Sequence, residues 1–439
     1  MNDDEARVRA RLHEYADGIE PVRDLPAAGR ARYRRLVRRR RATAVLAGAF
    51  VVIAGTGIGV GVARRSDHSL QFGTGGHAST TTATTAPSTT VVPTSASPGP
   101  IVTGEALSDT SWISDDEGWA LAAADLLHTT DGGATWRSVS QLPEIKVPSD
   151  GIGSDACAAV SCVDHVRFAD RLHGYLFGRA FLTTDDGGVT WTRQLSYAVV
   201  ALEVLHGRAF RVVSAHDCIA PGCTYFVETA NVGSRSWQRL ATPALVGDGV
   251  QLLYDASNVY VAVYGNPAGG GDAHIKLLRS LDLGKTWELR PDPCGSVGTQ
   301  EVDTASLATA PGGFLVALCQ PRGSGRAPSV RTSSDSGTTF GPAQTLPLPK
   351  GAIAESISAG SPTSIVVTAV DGFKQTVLVS HASGASSSWH TTLQASGSDA
   401  AISITFLGFE DANVGRVGIS PDQLWTTRDG GETWTSSRP

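Results

Sequence analysis

Seven times, at intervals of 45 to 55 residues, this 439-residue chain returns to one short hairpin phrase that ends in a large aromatic side chain. Five copies keep the full pattern Ser/Thr-x-Asp-x-Gly-x-Thr-aromatic, at residues 129–136, 184–191, 280–287, 333–340 and 427–434. Two copies are worn: Asn231 and Gly233 lead to Trp237 with one extra residue, and Ser383 and Gly384 lead to Trp389 after a run of serines. A supersecondary unit repeated at this period predicts a β-propeller, because one small sheet cannot bury both of its faces and must stack on its neighbours.

Within the first repeat the segments 110–114, 118–123, 126–130 and 135–139 read as four short strands divided by turns. Asp131-Gly132-Gly133 suits a tight hairpin, since glycine accepts positive φ and the aspartate side chain bonds nearby backbone amides. The closing tryptophan supplies a large apolar body able to wedge against the next sheet. The expected fold is therefore all-β, a seven-bladed propeller of four-stranded antiparallel blades over 105–439. Recurrence in five blades assigns Asp131, Asp186, Asp282, Asp335 and Asp429, with Trp136, Trp191, Trp287, Phe340 and Trp434, to a structural turn device. Calcium ligation or acid catalysis would need one site, not five.

Ahead of the repeats, residues 42–63 run without a charge, long enough as helix to cross a hydrocarbon layer of about 30 Å. The Arg-rich stretch 1–41 precedes this segment and only Arg64 and Arg65 follow closely, so the positive-inside bias places the N-terminus in the cytoplasm and the repeats outside. A cleaved export signal is the rival, but the leader is long and Val62-Ala63-Arg64 is a poor cleavage site. Residues 64–104 read as a disordered linker, with 12 Ser or Thr and three Pro among the 20 residues 79–98. Extended at ~3.1 Å per residue it would reach on the order of 120 Å. An Arg-rich tail before a single Ala-rich span is similar to the arrangement in actinobacterial membrane proteins.

Residues 1–67 hold 14 Arg against 8 Asp or Glu, which leaves 22 basic and 34 acidic residues, a charge near −12, for the remainder. An acidic body argues against nucleic acid as a partner. The six cysteines, Cys157, Cys162, Cys218, Cys223, Cys294 and Cys319, all follow the span, where disulfides are expected. Two close pairs and Cys294 with Cys319 is the preferred connectivity among the 15 that six cysteines allow. The metal alternative, His216, Asp217, Cys218 and Cys223, lacks the second ligand pair of a structural zinc site. The glycine run 269–271 lacks the strand-to-helix setting of a phosphate cradle.

The first copy, Trp112-Ile113 with Gly118-Trp119-Ala120 and the phrase 129–136, resembles the photosystem II assembly-factor family of seven-bladed propellers. Blade 2, with Gly174-Tyr175, and blade 7, with Ile404-Thr405-Phe406, repeat that likeness, which covers roughly 105–439. The resemblance implies a protein-docking platform; nothing in the chain indicates a photosynthetic client. Sialidases share the hairpin phrase, yet no Arg-Ile-Pro motif occurs, no tyrosine follows Tyr264, and the sialidase ring has six blades where this chain counts seven.

The expected protein is thus a single-pass, membrane-anchored extracytoplasmic scaffold without catalysis, cofactor or metal. It would bind an envelope protein or a cell-wall glycan through loops. The candidate loops are 145–163, 216–223, 265–272 and 291–300. A divergent surface glycosidase is the alternative, with Glu301, Asp303, Glu355 and Asp371 as the acids to screen, and an envelope sensor coupled to the cytoplasmic tail ranks behind it.

Overall fold

Thirty strands and no helix make up the described part of the chain in a computed structural model, which covers residues 99–122, 125–142, 162–215, 222–265, 274–295, 302–321, 327–371, 376–382, 389–396, 403–420 and 422–438. They form seven antiparallel sheets in chain order, each a meander whose first strand is innermost in the ring. The blades span 107–141, 163–194, 199–239, 249–290, 302–345, 352–396 and 404–437. All of them lie in one compact unit, Thr94–Pro439. The predicted tail 1–41, span 42–63 and most of the linker lie outside the described residues. No described helix is long and apolar enough to cross a membrane.

The middle strands show why these sheets need neighbours. Gly118–Ala122, Val259–Gly265, Phe314–Pro321 and Ser364–Asp371 read as nearly unbroken apolar runs. Such runs occur where a sheet is covered on both faces. Seven hydrophobic clusters result, one at every blade-to-blade joint, and each contains residues from two adjacent blades. Every joint also takes in the closing aromatic of its later blade: Trp136, Trp191, Trp237, Trp287, Phe340, Trp389 and Trp434. Outermost strands are treated oppositely. In blades 2, 3, 4, 5 and 7 they hold two or three residues, such as Thr192–Gln194 and Gln238–Arg239, and short edges resist pairing with other chains.

The hairpin phrase folds in one way in all five complete copies. Asp131 Oδ1 accepts from Thr129 Oγ1 at 2.8 Å and from Thr135 N at 2.9 Å, while Oδ2 accepts from Thr135 Oγ1 at 2.6 Å. Thr129 Oγ1 in turn accepts from Gly133 N at 3.0 Å. The same set recurs around Asp186, Asp282, Asp335 and Asp429. Charge-assisted bonds of this kind favour the ionised form. Donation from Thr286 and Thr339 accordingly brings Asp282 and Asp335 down to about 2. The second glycine lets the turn press on the preceding blade: a Cβ at Gly188, φ +94, would lie 2.4 Å from Leu126 Cδ2, and one at Gly133, φ +87, 2.7 Å from Leu424 Cδ2.

Two features differ from the sequence reading. Ile101–Val102, assigned to the linker, pairs with Arg137 and Trp136 and adds a fifth strand to blade 1. A two-residue strand directly after Pro100 carries no alternation by which to see it. The fourth strand of blade 3 is also split, so that Gln238–Arg239 and Leu245–Gly247 both pair with Cys223–Asn231.

The ring closes by packing, with no strand shared between blades 1 and 7 among the described residues. Leu424 and Phe406 join Leu107, Ala120, Leu127 and Trp136 in one cluster, and Ser437 Oγ donates to Gly133 O at 3.1 Å. Blades 4 and 5 are tied covalently as well, by Cys294–Cys319, with a sequence separation of 25. A loop of that size makes the bond worth about 3.5 kcal/mol. Cys162 and Cys223 are disulfide-bonded, and Cys157 and Cys218 lie outside the described residues.

Candidate functional site

The innermost strands of all seven blades surround a central channel of about 780 Å³. Side chains on these strands alternate between the channel and the joints, so one residue in two reaches the lumen. On the wall made by blades 1 to 3, four of them converge. Asp109, third residue of Leu107–Trp112, is 4% exposed, and its Oδ2 accepts from Val166 N at 2.9 Å and Arg167 Nη1 at 3.1 Å, with His165 Nδ1 at 3.3 Å. Arg167 reaches the other way with Nε, 3.3 Å from Glu203 Oε1. One guanidinium therefore bridges carboxylates from two different blades.

These environments push the two acids apart. Burial works against ionisation of Asp109, but Arg167, His165 and the Val166 amide outweigh it and hold the carboxyl below its ordinary value. Burial prevails at Glu203, whose carboxyl is raised despite Arg167. His165 is raised too: burial opposes the charged ring, and the Asp109 carboxylate overcomes it.

Beside this wall, at the joint of blades 7 and 1, Arg416 is 1% exposed. Its Nη1 lies 2.8 Å from Glu410 Oε1, its Nη2 donates to Asp115 O at 2.5 Å, and its guanidinium carbon stands 3.4 Å over the Trp112 ring. Burial pushes Glu410 up to about 7, with Arg416 opposing. Between blades 4 and 5, Gln251 imitates a strand partner: its Nε2 donates to Leu307 O at 2.8 Å and its Oε1 accepts from Leu307 N at 3.1 Å. The lining holds six acids, Asp109, Asp115, Glu203, Asp255, Glu410 and Asp411, against two arginines, Arg167 and Arg416.

None of the turn aspartates lines this channel, and neither do Glu355 or Asp371. Glu355 is exposed in blade 6 and Asp371 is buried at 3% there. Glu301 lies outside the described residues, as do most of the candidate loops: 145–161, 216–221, 266–272 and 296–300. The channel cluster itself was not singled out from sequence. Its four members come from three strands, and the one available signal was register, since Asp109 and His165 each stand third in the first strand of consecutive repeats.

No protein-family model matches the chain, and no curated protein matches it significantly. Among solved structures it is similar to YCF48 bound to a D1 peptide, at 17% identity over 76% of this chain and 98% of that one, with a TM-score of 0.49. YCF48 from Cyanidioschyzon merolae is similar at 14% identity, covering 78% of this chain and 98% of the other, also with a TM-score of 0.49. A GH74 enzyme from Niastella koreensis is similar at 11% identity, over 75% and 65% of the two chains, with a TM-score of 0.39. At such identities the likeness concerns the fold alone.

Proposed function

We propose that this protein is a membrane-anchored, extracytoplasmic propeller that binds an envelope protein partner at its central channel without catalysing a reaction. The supporting observation is the electrostatics of the lumen. Its two arginines are each engaged by a carboxylate of the wall, so the lining holds more acids than arginines, six to two, with the carboxylates of Asp115 and Asp411 free of any arginine partner among the described residues. A low-dielectric cleft lined by one sign of charge concentrates ligands of the other. A segment carrying Lys or Arg fits this field better than a neutral glycan does. Anchoring through 42–63 rests on the apolar run and the arginine asymmetry of the sequence.

The test uses full-length protein in its own membrane, with a photo-crosslinking residue placed at Tyr254 or, as an outer-rim control, at Leu289. Adducts with a protein from Tyr254 alone, weakened by Asp115→Asn with Asp411→Asn and by high salt, are the expected result. Adducts with glycan only, or equal yield from both positions, overturn the reading. Protease treatment of intact cells checks the topology: blades digested from outside support it, and blades cut only after lysis refute it.

One observation favours a second reading. A lowered Asp109 and a raised Glu203 form the divergent pair that acid–base hydrolysis uses. Arg167 lies between them and occupies both, which is why binding is preferred. Glycoside turnover by the full-length protein, abolished by Glu203→Gln, would decide for the enzyme.

A further inference from the structure

The joint between blades 6 and 7 brings together a second group of titratable side chains, remote in sequence from the channel residues. His381 and His390 are direct cross-strand partners on Thr376–Ala382 and His390–Ser396, so both rings leave the same face of the sheet. Glu432 arrives from the other blade, on the turn 427–434. That turn presses back on blade 6 so closely that a Cβ at Gly431 would lie 2.6 Å from Val366 Cγ2 and 3.2 Å from His381 Cδ2. Asp429 locks the same turn through Thr427 and Thr433, which fixes where Glu432 projects.

Glu432 Oε1 is 3.3 Å from His381 Nδ1, and Glu432 Oε2 is 3.3 Å from His390 Nε2. One donor atom from each residue falls within 4.8 Å of the others. Ligands held at 2.0–2.2 Å around a tetrahedral zinc stand about 3.4 Å from one another. The two His–Glu separations, each to a different oxygen of Glu432, match that edge, and the complete set, within 4.8 Å, needs a modest contraction around an ion. His381 gives the independent sign of a missing ligand. It is 2% exposed, and its Nδ1, aimed into the group, has no hydrogen-bond partner of acceptable geometry. A buried nitrogen in that condition calls for an explanation.

We propose that His381, His390 and Glu432 form a binding site for a zinc-class divalent cation, held by two imidazole nitrogens and one carboxylate. His390 and Glu432 are about half exposed, at 52% and 47%, so the remaining coordination position opens to water. Imidazole ligands select zinc, cobalt, nickel or copper over magnesium and calcium. The ion couples the outer hairpin of blade 6, where the aspartate turn is worn, to the intact turn of blade 7.

The experiment takes the full-length protein in detergent, strips it with chelator, and titrates it with Zn²⁺ by calorimetry and with Co²⁺ by visible absorption. One equivalent is expected to bind, cobalt is expected to show the d–d bands of a tetrahedral site, and Mg²⁺ and Ca²⁺ in excess should not compete. His390→Ala and Glu432→Gln, both at exposed positions, should each weaken binding at least about tenfold. Zn²⁺ should raise the melting temperature of the native protein and not of the variants, whose metal-free melting temperatures should match the native one. Absence of stoichiometric binding, or binding unchanged by both substitutions, overturns the site and leaves a plain His–Glu pair.

Discussion

Blades 2 and 3 finish their outer hairpins with the same tryptophan and with little else in common. In blade 2, Asp186 gathers Thr184, the Thr190 amide and the Thr190 hydroxyl at 2.6 to 2.9 Å, and Trp191 stands edge-on to Phe168. Blade 3 has Asn231 there, and its turn is held by backbone bonds from Val232 to Gly207 and from Ser234 to Asn231. Trp237 nevertheless enters the joint, 5.6 Å from Phe181. Arg211 fills the space between the two rings, 4.6 Å from one and 4.2 Å from the other, and pairs with Glu228 at 2.6 Å. The aromatic is therefore what a joint requires. The carboxylate lattice is one of several ways to hold it, and a stacked, paired arginine is another.

Truncating the aromatics tests that equivalence most severely. Trp191→Ala and Trp237→Ala should each cost about 3 kcal/mol in denaturant unfolding, and a blade 3 loss well below the blade 2 loss would break the comparison. Arg211→Ala comes next, at about 2 kcal/mol, because it strands Glu228 and empties the gap between two rings; Glu228 is partly exposed, which keeps the cost below that of a fully buried pair. Asp186→Ala should cost about 1 kcal/mol through lost turn bonds. Asn231→Asp should change stability by less than about 0.5 kcal/mol, since no threonine directly precedes Trp237 and the amide of Ser236, which stands in its place, already donates to Ser234 Oγ.

The smallest effect concerns acid. Asp282 and Asp335 titrate at about 2 in the folded protein against an ordinary 3.8. A depressed carboxyl stabilises the fold above its unfolded value and loses that contribution as pH falls toward the folded one. Replacing both by Asn should flatten the fall in melting temperature between pH 4 and about pH 2, while Asn231→Ala in blade 3 leaves it unchanged.

The same contrast explains what could be read from the chain. Seven aromatics at a steady period revealed the blade count even where the turn had decayed, because the wedge outlasts the lattice around it. Cys294 with Cys319 was legible once the close cysteine pairs were set aside. The lumen was not, since Asp109, His165, Arg167 and Glu203 meet only when three first strands stand side by side. His381, His390 and Glu432 are equally scattered, and two of them meet through a strand register that no local spacing reports. The closure of the ring was hidden for a related reason: it depends on side chains such as Leu424 filling a gap beside Trp136, and packing of that kind has no motif.

That closure has a consequence for how the gene could be rearranged. Because the contact between the last blade and the first rests on the same apolar packing as the other six, the order in which the chain visits the blades is incidental to the architecture. In the ring alone, joining Gly99 to Arg438 with a short linker and opening new ends between blades 5 and 6 should give a circular permutant with the same barrel of sheets, whereas a propeller sealed by a shared strand would lose its clasp under that operation.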